Sequence, residues 1–88
     1  MSNNTTRQKL KITAPDGIVY NMEDLLTVRK VMEVFDVTRV SVYNWLGKRS
    51  DNNTYPDGKF PHAFKEGKIY IPIVDIKNMI SNKKTIVY

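Results

Sequence analysis

Residues 35–45, FDVTRVSVYNW, decide the fold, because they fit either the middle of one amphipathic helix or two short helices joined by a turn. Before them the apolar side chains keep the i, i+3, i+4, i+7 spacing of a helix that lies on a core, at Val28, Val31, Met32 and Phe35. If one helix continued at about 100° per residue, Val37 and Val40 would lie on the opposite side and face water. A single long helix is therefore disfavoured.

A turn at Asp36–Val37 resolves this conflict, because it lets Val37 point inward and gives a second helix its own phase. Aspartate enters the left-handed backbone region more readily than most residues. Thr38 is a suitable N-cap and Gly47 a suitable terminator for the helix that follows. That helix directs one set of side chains to the core and another outward: Val42, Trp45 and Leu46 inward, and Arg39, Ser41 and Asn44 outward.

The composition is that of one small globular domain. The chain has 88 residues, of which 41% are hydrophobic and 26% charged, which suits a single core. There is no cysteine, so disulfides and thiolate metal sites are excluded. The first residues, MSNNTTRQK, are polar and lead into no apolar run, so neither a signal peptide nor a spanning helix is expected. We expect a flexible tail at residues 1–9, a single domain at residues 10–88 and an intracellular protein.

Two segments have the pattern of β-hairpins. In LKITAPDGIVYN (10–21) alternating residues flank Pro15-Asp16-Gly17, a triplet suited to a tight turn. In FPHAFKEGKIYIP (60–72) two apolar runs flank a glycine-tipped turn. The loop before this second hairpin carries another Pro-Asp-Gly turn at 56–58.

Capping residues suggest the remaining helix boundaries. Asn21 with Asp24 is expected to cap one turn, and Thr27 is expected to cap the first long helix. That single turn is expected to hold three apolar residues: Met22, Leu25 and Leu26. Pro72 can open a last helix, whose buried stripe is expected to comprise Ile73, Ile76, Met79 and Ile80. The final TIVY (85–88) fits an edge strand or a frayed end.

The resulting order is helix, turn, helix, long loop, hairpin, helix. In small basic domains this is the winged helix-turn-helix arrangement, whose second helix enters the major groove while the hairpin, or wing, reaches the backbone or minor groove. We therefore expect an α+β fold with three short helices, a β-hairpin wing and an extra N-terminal β-hairpin.

The outward side of the second helix carries groups that can read DNA. Arginine pairs with guanine and asparagine with adenine, and hydroxyls near a helix N-terminus bond phosphate. The candidate reading residues are Thr38, Arg39, Ser41, Tyr43 and Asn44. The alternative is a solvated helix face, with Tyr43 in the core.

The formal net charge of +5 favours an anionic partner, and the excess lies in residues 27–50 and 73–88. Basic side chains follow the second helix and flank the tip of the second hairpin, where phosphate contacts would give affinity without sequence choice. These candidates are Lys48, Arg49, Lys65 and Lys68. The alternative is that they only keep the protein soluble.

The sequence contains no pattern of an active site. Trp45 is spaced as a core anchor, His62 has no second metal ligand near it, and Glu23 and Asp24 fit a helix start. No phosphate-binding glycine loop, nucleophile motif or zinc spacing is present. We expect no enzyme activity, no cofactor and no metal.

Two stretches resemble a known family. LLTVRKVMEVFDVTRVSVYNWL (25–46) resembles excisionase and MerR-like helix-turn-helix domains in its leucine-threonine start, its Ser/Thr-capped second helix and its VYNW-like core. FPHAFKEGKIYIPIVDIKNMI (60–80) resembles the wing and helix of phage excisionases and AlpA-type proteins. In two places the chain departs from the family: Asp36 stands where glycine is common, and the loop 47–59 is longer than in short members.

The resemblance implies a winged-helix DNA binder of a mobile element, in the cytoplasm of a bacterial or phage-infected cell. Excisionases bind DNA beside recombination sites, bend it and steer an integrase toward excision, whereas AlpA-like relatives regulate transcription. By position Thr38, Arg39, Ser41 and Asn44 match the reading helix, and Lys65, Gly67 and Lys68 match the wing. The implied partners are double-stranded DNA, a tyrosine or serine integrase, and further copies bound cooperatively, with no membrane.

Three functions remain open from the sequence. The first is an excisionase-type architectural factor, the second is a small phage or plasmid transcriptional regulator, and the third is a protein-interaction module whose basic face binds an acidic partner. The DNA target sequence and the stoichiometry are not determined by the sequence.

Overall fold

The structure, a computed structural model, describes the backbone of residues 10–86 and the side chains of residues 10–81. The tail predicted at residues 1–9 lies outside the described residues. The described chain has an α+β fold with three α-helices and two small antiparallel sheets. Its elements are β1 (Lys11–Thr13), β2 (Val19–Asn21), β3 (Leu25–Thr27), α1 (Val28–Phe35), α2 (Arg39–Leu46), β4 (Phe64–Glu66), β5 (Lys68–Pro72) and α3 (Ile73–Ile86).

The predicted N-terminal hairpin is present as β1 and β2, paired antiparallel. Asp16 stabilises its turn, because its side-chain Oδ1 accepts a hydrogen bond from the Ile18 backbone N–H at 3.1 Å. Gly17 has a φ of 92°, a conformation that glycine adopts without strain. The tight turn predicted from Pro15-Asp16-Gly17 is therefore confirmed.

The turn between α1 and α2 is the one expected from the break in hydrophobic phase. Asp36 adopts the left-handed conformation, with φ 55° and ψ 54°, and ends α1. Thr38 then caps α2 by accepting a hydrogen bond from the Ser41 backbone N–H at 3.3 Å, as Thr27 caps α1 through the Lys30 N–H at 3.2 Å. Because Val37 becomes partly buried against the core, the two-helix interpretation is confirmed.

The expectation for residues 22–26 was wrong in part. Residues Met22–Asp24 form one short 3-10 turn, but the Asn21 side chain makes no capping bond to its backbone. The next residues leave the turn and form β3, which pairs with β5 in the register Leu25↔Pro72. The second hairpin is thus part of a three-stranded sheet in the order β3-β5-β4. This sheet ties the start of α1 to the hairpin.

The last helix is longer and less buried than expected. It runs to Ile86, so Thr85 and Ile86 are helical and not an edge strand, while residues 87–88 lie outside the described residues. Ile76 is buried and Met79 is partly buried, but Ile80 is 40% exposed, so the predicted stripe reaches only the first half of the helix. No helix in the described part of the chain is long and apolar enough to cross a membrane.

The main core lies between α1, α2, α3 and the sheet, and fully buried apolar side chains of this size each contribute about 1.5–3 kcal/mol. Its buried members are Val28, Val31, Val42, Leu46, Tyr55, Phe60, Ala63, Ile71 and Ile76. A second, smaller cluster of Ile12, Ala14 and Phe64 holds the N-terminal hairpin, where the Tyr20 ring stacks on Phe64 with centroids 5.8 Å apart. The N-terminal hairpin is therefore packed onto the domain.

The long loop after α2 is packed against the rest of the domain at both of its ends. At one end the Lys59 backbone N–H donates to the Trp45 carbonyl oxygen at 2.7 Å, and Gly58 lies so close to Leu46 that a side chain would not fit. At the other end Asp75, fully buried on α3, accepts from the His62 backbone N–H at 2.7 Å and pairs with its ring Nδ1 at 2.8 Å. The loop therefore fixes where α2 ends and where β4 begins.

Candidate functional site

A concavity of about 450 Å³ lies where the start of α1 and the outer side of α2 face the β4–β5 hairpin. We call it the basic cleft. Its lining residues come from three separate parts of the chain: Thr27, Val28, Arg29, Arg39, Tyr43, Lys65, Gly67, Lys68 and Ile69. The sheet assembles it, because β3 leads directly into α1 while its partner β5 leads back to the hairpin tip. Residues far apart in sequence thus share one surface.

The basic cleft carries one sign of charge. None of its lining side chains is acidic, and four are cationic: Arg29, Arg39, Lys65 and Lys68. No carboxylate in the described part of the chain lies within ion-pair distance of Arg39, Lys65 or Lys68. Like charges that share one surface, three of them without an ion-pair partner, raise the local positive potential and favour an anionic ligand.

Arg29 belongs to this site although the sequence reasoning missed it. Its side chain is 83% exposed and lies 4.0 Å from the Glu33 carboxylate, one turn further along α1. Exposed pairs of this kind contribute only about 0.3–0.5 kcal/mol, so Arg29 can exchange Glu33 for another anion at little cost. The available signal was its place in the first turn of the helix, two residues after the capping Thr27, but only the β3–β5 pairing brings it beside the hairpin.

The exposed side of α2 forms the second part of the site. Four side chains that are neighbours on the helix surface are exposed to solvent: Arg39, Val40, Tyr43 and Asn44. We call them the outer stripe of α2. The opposite side is buried through Val42 and Leu46, which fixes the rotation of the helix. Tyr43 is 44% exposed, so the interpretation that it belongs to the core is wrong.

Val40 is a second residue that sequence reasoning misplaced. The turn at Asp36 was expected to remove the conflict that Val37 and Val40 create, yet only Val37 turns inward. Val40 remains 67% exposed, within the outer stripe. Its failure to fit the buried phase of either helix was the signal that could have singled it out.

Thr38 is exposed, but its side chain is bonded to Ser41 at the start of α2. The Thr38 Oγ1 atom accepts the Ser41 backbone N–H and donates to the Ser41 Oγ at 3.3 Å. Thr38 therefore has a structural role as the cap of α2, which a phosphate contact would have to share. Ser41 is only partly exposed, while its hydroxyl proton stays free to donate.

Lys48 and Arg49 are not brought to the basic cleft. They line a different concavity of about 320 Å³ together with Ser50, Asp51, Pro56 and Asp57. We call it the mixed-charge concavity, because two carboxylates stand beside its two cationic side chains. Burial raises the pKa of the nearby Tyr55 phenol, and the Arg49 guanidinium acts against that rise. The predicted phosphate-contacting residues thus fall into two groups.

The two aromatic residues singled out in the sequence have structural surroundings. Trp45 is half-buried and packs edge-to-face on Phe35 and Phe60, with ring centroids 5.4 and 6.2 Å away. As expected, it is a core anchor and not an exposed stacking platform. His62 is held by Asp75, and no group of three or more His, Cys, Asp or Glu side chains that could hold a metal occurs among the described residues.

The chemistry available at the site is multiple donation to anionic oxygens, beside a helix face with one arginine, one asparagine and one tyrosine. Comparisons of the chain with models of protein families, with curated proteins and with solved structures find no match. The geometry and charge of the basic cleft and the outer stripe of α2 therefore indicate which class of ligand the site can bind.

Proposed function

We propose that this protein binds double-stranded DNA as a winged helix-turn-helix domain. In this proposal α1 and α2 are the two helices, α2 enters the major groove with its outer stripe toward the bases, and the β4–β5 hairpin is the wing. The observation that carries the proposal is the basic cleft, in which four cationic side chains from α1, α2 and the hairpin share one surface whose lining includes no acidic residue.

The division of roles between the two parts of the site matches the needs of DNA recognition. Phosphate contacts position a protein, and base contacts give it sequence choice. Arg29, Lys65 and Lys68 supply the cations for phosphates, while Arg39 and Asn44 present the donors and acceptors that pair with guanine and adenine edges. A major groove about 12 Å wide admits one α-helix, and α2 is exposed along one whole side.

The role that we favour for this DNA binding is that of an excisionase-type architectural factor, which bends DNA beside a recombination site and directs an integrase toward excision. This part rests on the likeness of residues 25–46 and 60–80 to excisionase and AlpA-type domains. A small domain makes few contacts, so we expect weak binding by one copy and stronger binding by neighbouring copies or with an integrase.

DNA binding is tested by titrating the full chain onto duplex DNA at two salt concentrations. The logarithm of affinity falls with that of salt by about 0.9 for each phosphate neutralised. Four contacts through the basic cleft therefore predict a loss of roughly 100-fold between 50 and 200 mM salt. Negligible binding to every duplex at 50 mM would refute DNA binding and leave an acidic protein as the candidate partner.

The excisionase role needs a separate experiment. Purified protein is added to an excision reaction that contains the integrase encoded nearest to it and a plasmid carrying that integrase's attachment sites. Stimulated excision, lost when Arg39 is replaced by alanine, would support the role. Unchanged recombination together with specific binding near a promoter would instead favour the second candidate, a transcriptional regulator that uses the same site.

A further inference from the structure

An apolar side chain stands in the middle of the proposed reading surface. Val40 is 67% exposed and lies between Arg39 and the Tyr43–Asn44 pair on the outer stripe of α2. Residues three and four apart on a helix are neighbours, so Val40 has Tyr43 and Asn44 beside it one turn later. The stripe therefore presents one methyl-bearing contact surrounded by polar ones.

Folding does not account for a valine at this position. Val40 contributes to neither hydrophobic cluster of the described residues. Valine is also a poorer helix former than alanine, because its branched side chain loses rotamer freedom against the preceding turn. Isolated exposed apolar residues are common on proteins. Val40 differs from them because it lies within a charged and hydrogen-bonding surface that is proposed to bind DNA.

The major groove of DNA offers one apolar feature on its base edges, the C5 methyl group of thymine. We infer that Val40 contacts this methyl group and makes the bound sequence depend on a thymine. The inference rests on the proposed function, because it assigns a base to the same helix face. Cationic side chains of the basic cleft would hold the backbone on one side of α2, which leaves Val40 facing the base edges.

The neighbouring residue Asn44 extends this reading. Asparagine can bond the N6 and N7 atoms of adenine, and it follows Val40 by four residues, or about 6 Å along the helix. Thymine under Val40 and adenine under Asn44 would then lie within about two base-pair steps of 3.4 Å. The preferred site is therefore expected to contain A·T pairs at the centre of the α2 contact.

The test replaces thymine by deoxyuridine, which removes the methyl group and keeps every hydrogen-bonding atom. Duplexes selected from a random pool by the full chain are resynthesised with one deoxyuridine at a time, and their dissociation constants are measured. We expect one or two positions at which the wild-type protein binds about three- to fivefold more weakly, as one buried methyl group predicts. Val40→Ala, which keeps only its Cβ methyl group, should discriminate thymine from deoxyuridine less than the wild type does at those positions.

Val34→Ala is the matched control, because Val34 is also an exposed valine on a helix, at 48%, but lines neither the basic cleft nor the outer stripe of α2. This variant should discriminate as the wild type does. The inference is overturned if the wild type binds every deoxyuridine duplex as tightly as its thymine parent, or if Val40→Ala discriminates as strongly as the wild type. Failure to bind any selected duplex would instead refute the proposed function itself.

Discussion

The basic cleft and the mixed-charge concavity each contain cationic side chains that the sequence presents as equivalent, yet their surroundings differ. The basic cleft is lined by Arg39, Lys65 and Lys68 with no acidic residue in its lining, and Glu66 lies outside it on the hairpin tip. In the mixed-charge concavity Lys48 and Arg49 share the surface with Asp51 and Asp57. The comparison teaches that a lysine beside a turn gains or loses its attraction for an anion through neighbours that folding supplies.

The strongest test of this comparison is to neutralise both groups of cations in turn. Arg39→Ala combined with Lys68→Ala should weaken DNA binding by about 2–4 kcal/mol, because it removes a base-reading arginine and a phosphate contact. Lys48→Ala combined with Arg49→Ala should cost less than about 1 kcal/mol, since nearby carboxylates already offset their field. The measurement is the dissociation constant by fluorescence anisotropy at constant salt.

Both double variants should stay folded, because all four side chains are outside the hydrophobic clusters. Circular dichroism and thermal melting provide that control. Equal losses of affinity in the two double variants would show that the basic cleft and the mixed-charge concavity contribute equally to DNA binding, which would contradict the comparison.

Substitutions at two glycines, one in each region, should affect folding stability and DNA binding to different extents. At Gly58, beside the mixed-charge concavity, a Cβ atom would clash with the Leu46 carbonyl oxygen. Gly58→Ala should therefore lower the free energy of unfolding by about 1–3 kcal/mol, as overpacking does. At Gly67, on the basic cleft, nothing lies within 4 Å and φ is 79°, so Gly67→Ala should cost only about 1 kcal/mol through backbone strain.

Gly67→Ala should weaken DNA binding more than Gly58→Ala does, the opposite of their order for folding stability. Gly67→Ala changes the hairpin tip that carries Lys65 and Lys68, whereas the clash in Gly58→Ala is with the C-terminal end of α2, outside the lining of the basic cleft. Urea denaturation gives the stabilities, and anisotropy at a temperature where both variants are folded gives the affinities. If Gly58→Ala reduced binding more than Gly67→Ala did, the loop and not the hairpin would be the DNA contact.

The smallest expected effect comes from removing the carboxylates of the mixed-charge concavity. Asp51→Asn with Asp57→Asn should raise affinity about two- to threefold at low salt, because two unit charges at 4 Å in water interact by only about 1 kcal/mol. The gain should vanish at high salt, where screening is stronger. Glu23→Gln, which changes charge outside both concavities, is the control and should have no such effect. An unchanged affinity at low salt would mean that Lys48 and Arg49 do not approach DNA.

Local chemistry made several parts of this molecule predictable from the sequence. The turn at Asp36, the caps Thr27 and Thr38, and both hairpins depend on neighbouring residues, and each appears where the pattern placed it. The burial of Val42 follows in the same way from its spacing on one helix.

The parts that could not be predicted depend on contacts between distant segments. β3 forms only because β5 returns to pair with Leu25–Thr27, and this pairing also brings Arg29 to the hairpin. No local signal distinguished Lys48 from Lys68, because each has an acidic residue within three positions in the sequence, and only the path of the loop brings Asp57 to Lys48. The predicted burial of Ile80 was wrong for a related reason, because the hydrophobic core ends before the periodic apolar pattern of the helix does.

The most direct test of the central claim is to map backbone amide shifts by NMR when duplex DNA is added to the full chain. The account predicts that the largest changes fall on Arg29, on residues 39–44 and on residues 65–69, and that residues 51–57 and the β1–β2 hairpin change little. Changes concentrated on residues 51–57 or on β1–β2, or no change with any duplex, would contradict it.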